Sequence, residues 1–243
     1  MRFCDAHCHT HVYTNPKDLI RYCEKSGIEI LSVTNDKESY KYCKNKGIPN
    51  LAIGIHPDIA PKINEKDLEF IENEIKNDSC HLIGEIGLDY SPKNISSRNR
   101  QIEVFKIILE IAEKYRTPVN VHSYRAVKDV IEILDSYKNF HVLLHWFTGS
   151  LTELRMAIDR GYLVGVTPSI LKSKNVRKIV LNTPIENILT ESDSPVNKWT
   201  PLDIPKVVAK IAEIKKISMK NVSNAVYNNF IRYTKRKSSY LNE

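Results

Sequence analysis

Eight times along this chain a short run rich in Ile, Val and Leu gives way to a longer polar or amphipathic stretch, and that alternation limits the fold more than any other feature. Parallel strands need a crossover between them, usually a helix, so strand–helix alternation is the pattern of βα units. The runs predict strands at Arg2–His7, Glu29–Thr34, Leu51–His56, His81–Ile86, Pro118–His122, His141–His145, Leu163–Thr167 and Asn187–Thr190. Eight strands fit a closed barrel better than an open sheet, and 243 residues suit one (β/α)8 barrel of roughly 250. Helices are expected at Pro16–Ser26, Asn64–Asn77, Arg100–Tyr115, Ala126–Ser136, Leu151–Arg160 and Lys172–Leu181, with two more, Ile204–Ile214 and Met219–Tyr233, after the last strand. Residues 87–99 break the rhythm as a long loop after the fourth strand, with Asp89, Tyr90, Arg98 and Arg100 at hand. No repeat or flexible linker divides the chain, so one domain is expected over 1–243, with 234–243 as a polar tail.

Polar residues gather at the strand ends. His7 and His9 stand at i and i+2 of the first strand and so share a face. Alone, such a pair is as readily a solvated strand end as a metal site. His56, Glu85, His122, His145 and Asp193 lie at or just beyond the C-terminal ends of predicted strands 3, 4, 5, 6 and 8. In a closed barrel those ends meet on one face, where barrel enzymes build their active sites. Imidazoles fill single coordination positions and carboxylates bridge, so the set can hold two divalent ions and activate water for phosphodiester displacement. The same set can attack a carbonyl, and mixed His/carboxylate donors accept Mg²⁺, Mn²⁺ or Zn²⁺.

The remaining features weigh less. Five scattered cysteines without CxxC spacing suit reduced thiols, and Cys8, facing away from the two histidines, reads as a packing residue. The N-terminal stretch lacks the regions of a secretion signal and no window is apolar enough for a membrane span, which points to a soluble cytoplasmic protein. The net charge of +7 favours an anionic partner such as nucleic acid, although lysines spread over helix faces give the same sum. Trp146 and Phe147 suit either base stacking or packing at the barrel mouth, Asp36 either a helix cap or a site residue. His81 and His141 fall at strand starts, the opposite end, and Lys235–Lys237 reads as part of the solvated tail.

The stretches DAHCH (5–9), IGIHP (53–57), GEIGLD (84–89), QIEVF (101–105), PVNVHS (118–123), LLHWFTGS (143–150) and LTESDSP (189–195) resemble, in order and spacing, the TatD family of metal-dependent deoxyribonucleases. The resemblance implies a (β/α)8 barrel with an extra C-terminal helix that cleaves DNA with two divalent ions. It implies that His7, His9 and Asp193 hold one ion, that His122 and His145 hold the other and that Glu85 bridges them. Asp193 would also act as general base and His56 would contact substrate phosphate. Two departures stand out. Thr10-His11 replaces the usual Leu-Asp, which brings His11 toward the rim. Tyr124 displaces the usual phosphate-gripping Arg by one place, leaving Arg125 either as its substitute or turned away on its helix. ILSVTND (30–36), HWFTGS (145–150) and LTESDSP resemble more closely the TatD-like nuclease of the four-component Qat anti-phage defence system, which implies partner subunits; without them a monomer is expected. Two other readings compete: a metal hydrolase acting on a small amide, lactone or phosphoester, and a non-catalytic subunit binding nucleic acid or a protein. Glu85, where the small-molecule branch would place a carbamylated lysine, and the full ligand set favour the nuclease.

Overall fold

A computed structural model describes residues 1–235. Eight parallel strands form a barrel: β1 (Phe3–Cys8), β2 (Ile28–Val33), β3 (Leu51–Ala52), β4 (Ile83–Asp89), β5 (Val119–Tyr124), β6 (Val142–Leu144), β7 (Leu163–Val166) and β8 (Ile188–Thr190). Regular ladders join β1-β2-β3 and β4 through β8. Two parallel bridges, Ile53 to Ile83 and Cys8 to Ser194, close the ring. At the second closure His9 N donates to Ser194 O at 2.9 Å and Asp193 N to His7 O at 2.9 Å, so the barrel seam itself sets β1 beside the loop after β8.

The outer helices are α1 (Pro16–Lys25), α2 (Lys37–Asn45), α3 (Glu65–Lys76), α4 (Arg98–Tyr115), α5 (Val127–Leu134), α6 (Leu151–Asp159), α7 (Lys174–Asn182), α8 (Ile204–Lys215) and α9 (Met219–Tyr233). Their apolar stripes face the strands. On α4, Val104, Phe105, Ile108, Leu109 and Ala112 are buried at helical spacing, each worth roughly 1.5–3 kcal/mol for the larger side chains. Capping boxes at Asn64 and Ser150 start α3 and α6. Helix α9 lies across the barrel base: Ser223 Oγ bonds Arg2 O, and Asn229 Nδ2 donates to Ile188 O at 2.9 Å. None of the described helices is long and apolar enough to cross a membrane.

Three details depart from the sequence reading. Helix α2, KESYKYCKN, is not anticipated because only Tyr40 and Cys43 of it are buried. Its start is set by Asp36, whose side chain accepts from Ser39 N at 2.7 Å, so Asp36 is a helix cap. The third strand is two residues long instead of six, because Thr34 takes over as the neighbour of β4: Glu85 N donates to Thr34 O at 2.9 Å. Gly54 makes that crossing feasible, since a Cβ there would stand 2.4 Å from Glu85 O. Finally, the fourth strand continues to Asp89 and α4 begins at Arg98, which shortens the expected loop over 87–99. The expected polar tail lies, beyond Lys235, outside the described residues, and so do the last two residues of the basic run.

Candidate metal centre

The C-terminal rim gathers His7 from β1, His9 just after it, His56 from the turn after β3, Glu85 from β4, His122 from β5, His145 after β6 and Asp193 after β8. Glu85 lies inside its strand, where the β4–β5 register shifts between Ile83 and Ile86. That irregularity presents the carboxylate to the centre of the barrel mouth. Its two oxygens then face different partners. Oε2 stands 3.5 Å from His7 Nε2 and 3.5 Å from His9 Nε2. Oε1 stands 2.7 Å from His122 Nδ1 and 3.0 Å from His145 Nε2.

Asp193 completes the first group, its Oδ1 lying 3.6 Å from His7 Nε2 and 3.4 Å from His9 Nε2, which are themselves 3.2 Å apart. Donors bound to one ion at about 2.1 Å and about 90–110° apart stand roughly 3.0–3.4 Å from each other, so these separations lie at or slightly above those of donors sharing a divalent cation. His56 Nε2 is 3.8 Å from Glu85 Oε1, and His56, Glu85 and His122 form a second trio able to hold an ion. His7, His145 and Asp193 form a third grouping, so the donor sets overlap through His7 and Glu85.

Residues behind the rim fix the imidazoles. His7 Nδ1 donates to Asn120 Oδ1 at 2.8 Å, since the amide nitrogen of Asn120 is committed to Ala6 O at 3.0 Å. His9 Nδ1 donates to Val33 O at 3.2 Å, and a carbonyl only accepts. Both rings therefore turn an Nε2 lone pair toward Glu85 and Asp193, the tautomer that a metal needs. His145 Nδ1 faces Glu191 Oε1 at 3.5 Å, and His122 Nε2 faces Asp89 Oδ2 at 3.6 Å. The sequence reading singled out neither Asn120 nor Glu191. Each sits two residues before a rim residue, His122 or Asp193, and on β5 that period-2 spacing signals a shared face.

Charge is balanced within the cluster. Burial alone would raise the Glu85 carboxyl, but the imidazoles of His56, His145 and His7 and the His122 hydrogen bond outweigh it and hold Glu85 well below the usual range. Asp193 is held low in the same way, against burial, by His9, His145 and His7. His145 moves up despite burial because Glu85 and Glu191 flank it.

The cluster floors a pocket of about 520 Å³ whose walls include Val12, Asn35, Tyr124, Trp146, Thr148 and Val196. Arg125 is exposed, with its guanidinium 5.5 Å from the centre of the Tyr124 ring; Tyr124 takes the place on the wall. Phe147 is buried at 2% exposure in the core, whereas Trp146 lines the pocket. His11 packs its ring 5.4 Å from that of His9 outside the three donor groups. Cys8 is fully buried in the apolar cluster with Ile20 and Cys23. His81 pairs with Asp78 at 3.3 Å, and His141 lines a separate cavity with Asp135 and Arg160.

The model of the family described as TatD related DNase matches residues 4–235. The chain belongs to the TatD family. An uncharacterized metal-dependent hydrolase from Methanocaldococcus jannaschii is 26% identical over 98% of both chains. The human protein named deoxyribonuclease TATDN3 is 30% identical over 74% of this chain and 69% of its own. The crystal structure of the TatD homolog YjjV from Escherichia coli superposes with a TM-score of 0.86 at 24% identity, covering 96% of this chain and 97% of that one, which shows the shared barrel. This TatD chain is thus a member of a metal-dependent hydrolase family that is DNase-like as a whole, and its His/Glu/Asp cluster has the donor chemistry for divalent ions.

Proposed function

We propose that this TatD protein hydrolyses phosphodiester bonds in DNA with two divalent ions, Mg²⁺, Mn²⁺ or Zn²⁺. The observation that carries the reading is the split of Glu85, one carboxylate oxygen to His7 and His9, the other to His122 and His145. His7, His9 and Asp193 would hold one ion and His122 and His145 the other, with Glu85 available to both. The ions supply Lewis-acid activation of water and of the phosphoryl oxygens.

The residues of the chain do the rest. Asp193, ionised and lining the pocket, orients the attacking water and takes its proton. Glu85 keeps the two imidazole pairs in register and compensates their charge. His56, whose Nδ1 lies 2.5 Å from Asp58 Oδ1, has its ring anchored so that Nε2 faces the pocket and meets the substrate phosphate. Arg125 meets the DNA backbone outside the pocket, as its exposed position beside Tyr124 suits.

The same reading makes the protein a cytoplasmic monomer on its own, consistent with five buried free cysteines, and a nuclease subunit in a Qat-type anti-phage assembly, on the strength of the ILSVTND, HWFTGS and LTESDSP stretches. The test is cleavage of end-labelled single- and double-stranded DNA by metal-loaded protein beside Asp193→Ala. Metal-dependent cleavage that falls about 10²- to 10⁴-fold in the variant, with an unchanged circular dichroism spectrum, is expected. Equal turnover by the variant overturns the assignment; bound metal with no cleavage turns it toward a small-molecule substrate.

A further inference from the structure

The pocket wall beside His145 has a chemistry that phosphodiester hydrolysis alone does not require. The chain has only two tryptophans: Trp146 lines the pocket and Trp199 packs against it, the rings meeting edge to face, 5.2 Å between centroids at 60°. An edge-to-face contact covers one face of one ring, so stacking surface remains. Trp146 shares the pocket with Glu85, His122, His145 and Asp193, and around the mouth Val12, Tyr124 and Val196 are 58%, 43% and 39% exposed.

The backbone shows that Trp146 is placed there at a cost. Its φ is +39°, in the left-handed region that a bulky side chain enters at about 1–2 kcal/mol. It is held by its N–H, which donates to buried Glu191 Oε1 at 2.5 Å, the oxygen that also faces His145 Nδ1. One carboxylate thus holds the backbone of Trp146 and faces a member of the metal-capable cluster. A residue kept in a disfavoured conformation beside a site is the usual mark of function there.

We propose that Trp146, braced from behind by Trp199, is a stacking wall for one unpaired nucleobase of the DNA whose phosphate lies on the His/Glu/Asp floor. This rests on the phosphodiester reading. The occupant follows from the surroundings: an aromatic face one residue beyond a phosphate-facing floor suits a planar group attached through a sugar, and the net charge of +7 favours a polyanion. A paired base has both faces taken by its helix neighbours, so the base on this wall comes from a single strand, a frayed end or a flipped nucleotide.

Because Trp146 forms the wall and Trp199 touches it, tryptophan fluorescence, excited where the twelve tyrosines do not absorb, reports on it. A single-stranded DNA tetranucleotide is titrated into metal-stripped protein, beside the same tetranucleotide with tetrahydrofuran abasic residues throughout; cleavage of both is then measured with Mn²⁺. Quenching by the base-bearing strand only is expected, and native enzyme prefers that strand. Trp146→Ala lowers the preference, as a ratio of kcat/KM values, by about 5- to 150-fold, equivalent to ~1–3 kcal/mol for one base–aromatic stack. Trp146→Phe retains most of it, and Trp199→Ala, which removes only the brace, loses part and serves if Trp146→Ala does not fold. Equal quenching by both strands, or an unchanged ratio in a folded Trp146→Ala, overturns the wall. Base-dependent quenching with no cleavage of either strand supports the wall and instead refutes the phosphodiester reading.

Discussion

Replacing Asn120 by alanine separates the residues that touch a metal from those that aim them. Asn120 lies on β5 inside the barrel, two places before His122, and bridges His7 Nδ1 and Ala6 O across it. Alanine leaves one buried donor and one buried acceptor without partners, each costing about 1–3 kcal/mol, so metal-free protein loses roughly 2–6 kcal/mol, toward the lower figure if water fills the gap. His7 is also freed to rotate and to change tautomer, which weakens metal binding by about 10- to 100-fold. Asn120→Asp keeps an acceptor for His7 Nδ1–H and so keeps most of the metal affinity, although Ala6 O loses its donor. Urea unfolding gives the first number, and isothermal titration of Mn²⁺ into stripped protein the second. A folded Asn120→Ala protein that binds Mn²⁺ as tightly as native would refute the argument that His7 is held from behind.

Two further outcomes follow from the barrel interior. Gly165→Ala would place a Cβ 2.5 Å from Glu191 Oε2, so the carboxylate must shift away from Trp146 and His145; a loss of about 1–3 kcal/mol by urea unfolding and weaker Mn²⁺ binding are expected, and an unchanged unfolding midpoint contradicts it. Asp5 is fully buried, and burial, only partly offset by hydrogen bonds from Ser192 and His7, pushes its carboxyl up to about 7 from 3.8. The folded state then holds a proton that the unfolded chain has released, so Asp5 costs stability increasingly as pH rises from about 4 to about 7, by at most roughly 4 kcal/mol at about 1.4 kcal/mol per pH unit. Asp5→Asn flattens that decline in metal-free protein; identical slopes for the two proteins exclude a raised Asp5.

The barrel and its rim are legible in the chain because both rest on simple periodicities. Apolar runs such as Val142–Leu144 and Leu163–Val166 mark strands, and the i, i+2 spacing of His7 and His9 marks the rim although His9 lies just past β1. Helix α2 is hidden because a short, polar helix held by the Asp36 cap and two buried side chains has no apolar stripe to read. The stunted third strand is equally hidden, since Ile53 and Ile55 look like strand residues and only the tertiary pairing of Thr34 with Glu85 ends the ladder. Around the cluster, the aiming groups are the ones that escape: Val33 acts through its carbonyl, which any residue supplies, and Glu191 is the other acid beside Asp193 in TESDSP. Arg125 shows the limit of position in sequence, because one left-handed residue, φ +56°, sets it outside the wall that Tyr124 lines.

The most direct measurement is the number of divalent ions bound per chain, by elemental analysis of Zn²⁺-loaded, dialysed protein, in the native chain and in Glu85→Gln. Glutamine keeps the shape but loses the charge that both imidazole pairs face. Two ions in the native protein and one or none in a folded Glu85→Gln protein are predicted. Two ions in both would contradict the bridging role of Glu85, and none in the native protein would contradict the metal centre itself.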